Sequence, residues 1–253
     1  MLISQDFQTL QKSYDFDSIT KATGQDFVKS VKNSVTRRNQ NKIINIVGMP
    51  GSGKSWACLR LAEVLDPQDD FDPHYIAYTK KDFYNIINSG FKRGQPIVYE
   101  ETGVNESNRS FWDNKETNDI MQTFRRMNAI LLTNTPMHSF QDKQQRELSH
   151  AVFSMGKIFA KKKQSILHPF FTETNPVNGQ KRMGWCTLKG DLISEIILNA
   201  PSKQLLKEYE ARKKEFGNAL NQRSLVNNIQ REKKRKIETK MQVAKAKRMG
   251  VTF

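Results

Sequence analysis

Cysteine occurs only twice in the 253 residues, at Cys58 and Cys186, with no metal-like spacing between them. That excludes a disulfide framework and a cysteine-held metal centre, and it leaves two buried or free thiols. Long hydrophobic runs are missing as well. The longest apolar stretches, such as Ile43–Val47 and Ala129–Leu132, fall far short of the ~20 residues that span a bilayer. Met1 to Ser18 has no basic start followed by an apolar block, so no secretory signal is read there. A cytoplasmic protein is expected, in the host cytoplasm if it is viral. No internal repeat is present.

Negative charge is also scarce. There are 26 acidic residues against 41 basic ones, a formal net charge of +15. The imbalance is uneven: residues 201–253 carry fifteen Lys/Arg and five Asp/Glu, two thirds of the excess. Two clusters, Arg231–Lys236 and Lys245–Arg248, dominate that tail. Such a basic stripe attracts phosphate backbones by releasing condensed counterions, without regard to sequence. The expected partner is nucleic acid, DNA in the first instance, while a solvated tail or an anionic membrane surface remains an alternative. Few large apolar residues lie in the tail for an interfacial helix to bury.

What is present is a core's worth of short apolar runs between about residues 43 and 198, within 37% hydrophobic composition. Phe27, Val31 and Val35 recur four apart and predict an amphipathic helix over Gln25 to Arg38. Ile43–Val47 reads as a buried strand and Lys54–Leu65 as a helix stopped before Pro67. A strand over His74–Tyr78 precedes a helix capped by Thr79, with Phe83, Ile86 and Ile87 on one face. Ile97–Tyr99 and Ala129–Thr133 are further strands, separated by a polar stretch, Thr102 to Asn108, and a helix over Asn118–Met127. Gln141–His150 reads as helical, and Ala151–Phe153 begins a fifth strand. Strands alternating with helices at this spacing predict an α/β fold, a mostly parallel sheet with helices on both faces. Past Phe159 the pattern changes. Ile166–Thr172 and Met183–Leu188 flank the turn-rich Asn175–Gly179 and predict a small hairpin. Pro201 opens a charged, basic helical tail. The expected organisation is a lead-in and helix (1–41), a core (42–160), a hairpin extension completing it (161–200), and a helical or partly disordered tail (201–253).

One motif is specific. Gly48-Met49-Pro50-Gly51-Ser52-Gly53-Lys54-Ser55 has the spacing G-x-x-x-x-G-K-[ST] of a phosphate-binding loop. Its glycines permit a tight turn whose backbone N–H groups face a phosphate, and the following helix adds the positive end of its dipole. Lys54 is placed to reach β- and γ-phosphates, Ser55 to ligate Mg²⁺, and the site extends to Trp56 in the first helical turn. The bare pattern arises by chance in about one such chain in a hundred. Here a predicted strand precedes it and a predicted helix follows it. An acidic centre is needed at a neighbouring strand end, and Glu100-Glu101 follows the Ile97 strand. Glu100 is the metal-side carboxylate and Glu101 the general base in this reading. Asn134, at the end of the next strand, can hold the attacking water. It can equally be a turn-former before Pro136.

With these pieces in order, the sequence resembles the additional-strand P-loop ATPases, RecA-like in fold. Within them it is most similar to the FtsK–HerA pumping ATPases and the zonula occludens toxin-like ATPases of phages and mobile elements. The shared pieces are Gly48–Ser55, Tyr99-Glu100-Glu101-Thr102-Gly103, Gln122-Thr123-Phe124-Arg125 and Thr133-Asn134-Thr135-Pro136, across roughly residues 42–155. Glu100 falls where the pumping ATPases carry Asp, and Asn134 where they carry Gln. The resemblance implies ATP and Mg²⁺ as ligands, and a sheet with the Ile97 strand beside the Ala129 strand and the phosphate-loop strand next to the latter. It also implies a homo-oligomeric ring in which a neighbour supplies an arginine finger, with Arg125, Arg126 and Arg146 as candidates. The function expected is an ATP-hydrolysing, DNA-handling motor of a virus or mobile element, in packaging, transfer or replication. A nucleotide-dependent assembly factor with a capsid or membrane partner, or a P-loop kinase, are the alternatives.

Overall fold

The computed structural model describes residues 24–100, 127–140, 143–175, 177–178, 180–188 and 190–248. The chain divides into two compact units, Met1–Leu205 and Leu206–Phe253.

The first unit is an α/β structure around a nine-stranded sheet whose strands lie in the order 76–77, 96–100, 130–135, 42–47, 151–159, 164–174, 181–188 and 191–193, with 196–199 paired to 164–174. Helix α1 (Gly24–Thr36) buries Phe27, Val31 and Val35, as the four-residue spacing requires, and Phe27 meets the ring of Phe153 edge-on at 5.2 Å. Strand β1 (Lys42–Val47) is central and buried on both faces, which explains its near-continuous apolar run. The glycine loop follows, then α2 (Lys54–Leu65). The strand expected over His74–Tyr78 is shorter, β2 (Ile76–Ala77). Pro73–Tyr75 forms a 3-10 turn instead, because the Asp72 carboxylate accepts the His74 N–H at 2.7 Å and starts a turn there. Helix α3 (Lys80–Ser89) begins at a reciprocal cap: Thr79 accepts from the Asp82 N–H, and Asp82 accepts from the Thr79 N–H. It covers one face of the sheet with Phe83, Ile86 and Ile87 against Ile43, Ile97, Tyr99 and Leu131.

Strand β3 (Pro96–Glu100) pairs in parallel with β4 (Ile130–Thr135), and β4 with β1. That is the order the resemblance implied. The expected helix over Asn118–Met127 and the polar stretch before it lie outside the described residues, apart from Met127 itself. The short α4 (Lys143–Leu148) leads to β5 (Ala151–Phe159), parallel to β1 over its first four residues.

From β5 onward the sheet reverses character. β6 (Gln164–Thr174), β7 (Lys181–Leu188), β8 (Asp191–Ile193) and β9 (Ile196–Asn199) are all joined by antiparallel pairing. Half of the described strand pairings are therefore antiparallel, against the mostly parallel sheet expected. Only Ala160–Lys163 connects β5 to β6, and a parallel return needs a crossover of about a dozen residues.

Helix α5 (Lys203–Arg248) starts where the Ser202 hydroxyl accepts the Leu205 N–H, while the Ser202 N–H donates to Glu63 at 3.0 Å. It runs for 46 residues, about 69 Å at 1.5 Å per residue. In the second unit Leu225, Val226 and Ile229 are exposed on it. Among the described residues no helix is long and apolar enough to cross a membrane.

Candidate functional site

β1 delivers the chain to Gly48 at the carboxyl end of the parallel strands, where open α/β sheets place their ligand crevice. The Gly48 N–H donates to the carbonyls of Thr135 and Pro136 at 3.3 and 3.2 Å, pinning the loop's entry to the end of β4. A Cβ at Gly48 would stand 2.7 Å from Ser52 Oγ and 2.8 Å from Met155 Cβ, so only glycine fits. Gly51 and Gly53 hold φ of 80° and 79°, the left-handed region that glycine enters without strain. Gly53 turns the chain into α2. The result is a loop whose exposed crest, Met49 to Gly51, projects from the strand end.

Lys54 turns its ammonium back over this loop and donates to the carbonyls of Gly48 at 2.7 Å and Met49 at 2.9 Å. Ser52 Oγ is buried in the loop with no hydrogen-bond partner. Ser55, in the first turn of α2, donates its hydroxyl to Glu100 Oε1 at 2.5 Å. Asn134 donates its amide to Glu100 Oε2 at 2.8 Å and lies 3.4 Å from Ser55 Oγ. Glu100 and Asn134 are each 3% exposed and sit directly opposite one another in the β3–β4 register. A carboxylate, an amide and a hydroxyl from three separate segments thus meet at one point beside the loop. These hard oxygen groups suit a divalent cation such as Mg²⁺, and the amide can orient a water.

Behind this row, Thr133 donates to the Asn45 side chain across the β4–β1 pair, and Cys58 Sγ lies 3.8 Å from the Thr133 carbonyl. Trp56 presents an indole 44% exposed on the first turn of α2. Arg146, on α4, donates to the Ser139 carbonyl at 3.3 Å. Glu101, Arg125 and Arg126 lie outside the described residues. Of the site residues read in the sequence, Ser55, Glu100 and Asn134 are brought together, and Lys54 folds back over the glycine loop.

Three features went unread in the sequence. Met155 and Ile158 of β5 press on the loop: a Cβ at Gly53 would be 3.4 Å from Ile158 Cδ1 and 3.8 Å from Met155 Cε. Gly156 between them, a glycine inside a strand, was the available signal for a bulge. Lys181 reaches from β7 to the end of α4, donating to the Arg146 and Ser149 carbonyls at 2.8 and 2.7 Å, and also to that of Glu147. Burial lowers its pKa, and the nearby Glu147 partly opposes this. Burial, helped by Arg38, lowers that of Lys42 at the opposite end of β1.

No family model matches this sequence, and no curated protein matches it. Among solved structures, the N-terminal domain of zonular occludens toxin from Neisseria meningitidis is similar at 15% identity, covering 59% of this chain and 95% of that one with a TM-score of 0.35.

Proposed function

We propose that this chain binds Mg·ATP at Gly48–Ser55 and hydrolyses it, and that turnover drives DNA handling for a virus or mobile element. The observation that carries the reading is the junction of Ser55, Glu100 and Asn134 beside a loop that only glycine can form at Gly48. The residues fit a triphosphate. The loop's backbone N–H groups and the start of α2 favour an anion, and the buried, unpartnered Ser52 hydroxyl leaves a donor within the loop. The Lys54 ammonium, which donates to the Gly48 and Met49 carbonyls, lies at the loop where phosphate oxygens would replace such acceptors.

Ser55 and Glu100 would hold magnesium, which supplies charge neutralisation on the β- and γ-oxygens when bound. Glu100 takes a hydroxyl and an amide, one on each oxygen, and so is fixed in orientation. Asn134 stands where it can position the attacking water. Glu101, the next residue along the chain, is the proposed base. Arg125, Arg126 or Arg146 of a neighbouring copy is the proposed finger in a ring. The basic residues of the tail support a nucleic-acid partner.

The test is a Mg·ATP titration followed by a turnover assay with and without DNA, beside a mass measurement of the assembly. Uptake of Mg·ATP and phosphate release stimulated by DNA are expected. Absence of uptake by the folded protein would overturn the reading. Slow turnover indifferent to DNA would move it to an assembly factor, and transfer to an acceptor would make it a kinase.

A further inference from the structure

β1 ends at Val47, where its pairing with β5 stops at Ser154, yet β5 runs on to Phe159 with β6 as its neighbour. The overhanging segment crosses the phosphate loop. Its register against β6 slips by one residue between Met155 and Ile158, a bulge that re-aims the side chains after it. Gly156 permits the bulge, because a Cβ there would stand 2.7 Å from Nε2 of His168, whose Nδ1 lies 3.2 Å from the Ser194 carbonyl. Beyond the bulge, Ile158 and Phe159 are 48% and 42% exposed. Around them stand Lys157, Lys161, Lys162 and Lys163, all exposed, with no acid between residues 157 and 163. Among the described residues none of these four lysines takes part in an ion pair, unlike Lys32 with Asp69 or Arg60 with Glu63. The turn is nonetheless well held. The Ala200 N–H donates to the Lys163 carbonyl at 2.8 Å, Gln164 to the Asn199 side chain at 2.9 Å, and β9 pairs with β6 immediately below.

We propose that this β5–β6 turn is a grip for single-stranded nucleic acid. Four uncompensated cations track a phosphate backbone, and the exposed Phe159 ring offers a face on which an unpaired base stacks. A duplex keeps its bases stacked and cannot use that ring. Two apolar residues on a short turn are too few to bury in a lipid interface, so a membrane surface is the poorer fit. The same strand that carries Phe159 rests on the phosphate loop through Ile158 and Met155, which places the grip one residue from the contact with Gly53. The inference rests on the nucleic-acid half of the proposed function and adds to it a place and a strand preference distinct from the basic tail.

The experiment uses the full chain with the triple variant Lys161→Glu, Lys162→Glu, Lys163→Glu, the milder Lys→Gln triple, and Phe159→Ala. The probes are a labelled 20-nucleotide oligo-dT, a duplex of equal length, and phosphatidylserine vesicles. Charge reversal should weaken oligo-dT binding at least roughly tenfold at 0.1 M salt and reduce the log–log salt slope by about 2. Phe159→Ala should weaken oligo-dT binding roughly fivefold or more while leaving the duplex unchanged. Turnover without nucleic acid and the thermal midpoint should hold in every variant. Oligo-dT binding equal to wild type in both triple variants overturns the inference while the tail remains a candidate grip. Loss of vesicle binding alone overturns it in favour of a membrane. If wild type takes up Mg·ATP but no oligonucleotide or duplex, the nucleic-acid half falls with it and the ATPase half stands.

Discussion

Asn134 donates its side-chain amide to Glu100 Oε2 at 2.8 Å, between positions directly paired across β3 and β4. Neither group reaches water freely, since both are 3% exposed. The pair therefore holds a buried carboxylate in one orientation. Removing the amide by Asn134→Ala takes one donor from this buried carboxylate, at a cost of about 1–3 kcal/mol. Urea denaturation should show that loss, and a hydrolysing site should lose turnover along with it. Full stability in the variant would mean that the bond contributes nothing.

Lys54→Ala should abolish turnover, because the β- and γ-phosphates lose the lysine ammonium that the motif supplies to them. Glu101→Gln should leave ATP bound but uncut, as judged by retained nucleotide after gel filtration. Normal turnover in the glutamine variant removes Glu101 from the role of base.

Gly48→Ala places a methyl 2.8 Å from Met155 Cβ, an atom fixed to the β5 backbone rather than the tip of a flexible chain. The overpacking should cost about 1–3 kcal/mol and displace the loop. Gly51→Ala is the control. Its site is open space at φ 80°, so it bears only backbone strain, about 1 kcal/mol. Equal denaturation midpoints for the two variants would contradict the close approach of β5.

Deleting residues 217–253 removes most of the tail's basic residues. DNA affinity should fall, and its dependence on salt should flatten as fewer counterions are released. Unchanged affinity, measured by fluorescence anisotropy across a salt series, would leave the tail as a solvated helix.

Burial raises the Cys186 thiol from the ordinary 9.0 to about 12. The folded protein then holds this proton more tightly than the unfolded chain does. The resulting stability is present in full below pH 9 and is lost as pH rises from there toward 12. Between pH 8 and 10.5, wild type should lose about 2 kcal/mol more than Cys186→Ala. Parallel urea midpoints for the two proteins across that range would show that the thiol ionises without hindrance.

Much of the local structure was legible because its causes are local. Phe27, Val31 and Val35 mark the buried face of α1 whatever lies against it. Thr79 and Asp82 cap α3 with atoms three residues apart. The reading failed where a neighbour in space decided the outcome. Asp72 took the start of the expected strand at His74 for a turn. The hairpin expected from Ile166–Thr172 and Met183–Leu188 is present as β6 and β7, but the short link Ala160–Lys163 also set β6 antiparallel to β5, which apolar alternation does not encode.

By itself, the order of residues determined a strand, a glycine loop and a helix at Ile43–Leu65, since steric freedom at glycine and short-range periodicity are properties of adjacent residues. It also determined where positive charge accumulates. Only the tertiary structure decided that Ser55, Glu100 and Asn134 meet, because 45 residues separate the first two and 34 the last two. It alone decided that Met155 closes on Gly48 and that Ile158 lies near Gly53. Such meetings depend on which strands pair and in what register, and that choice is made by burial of the whole sheet rather than by any one segment.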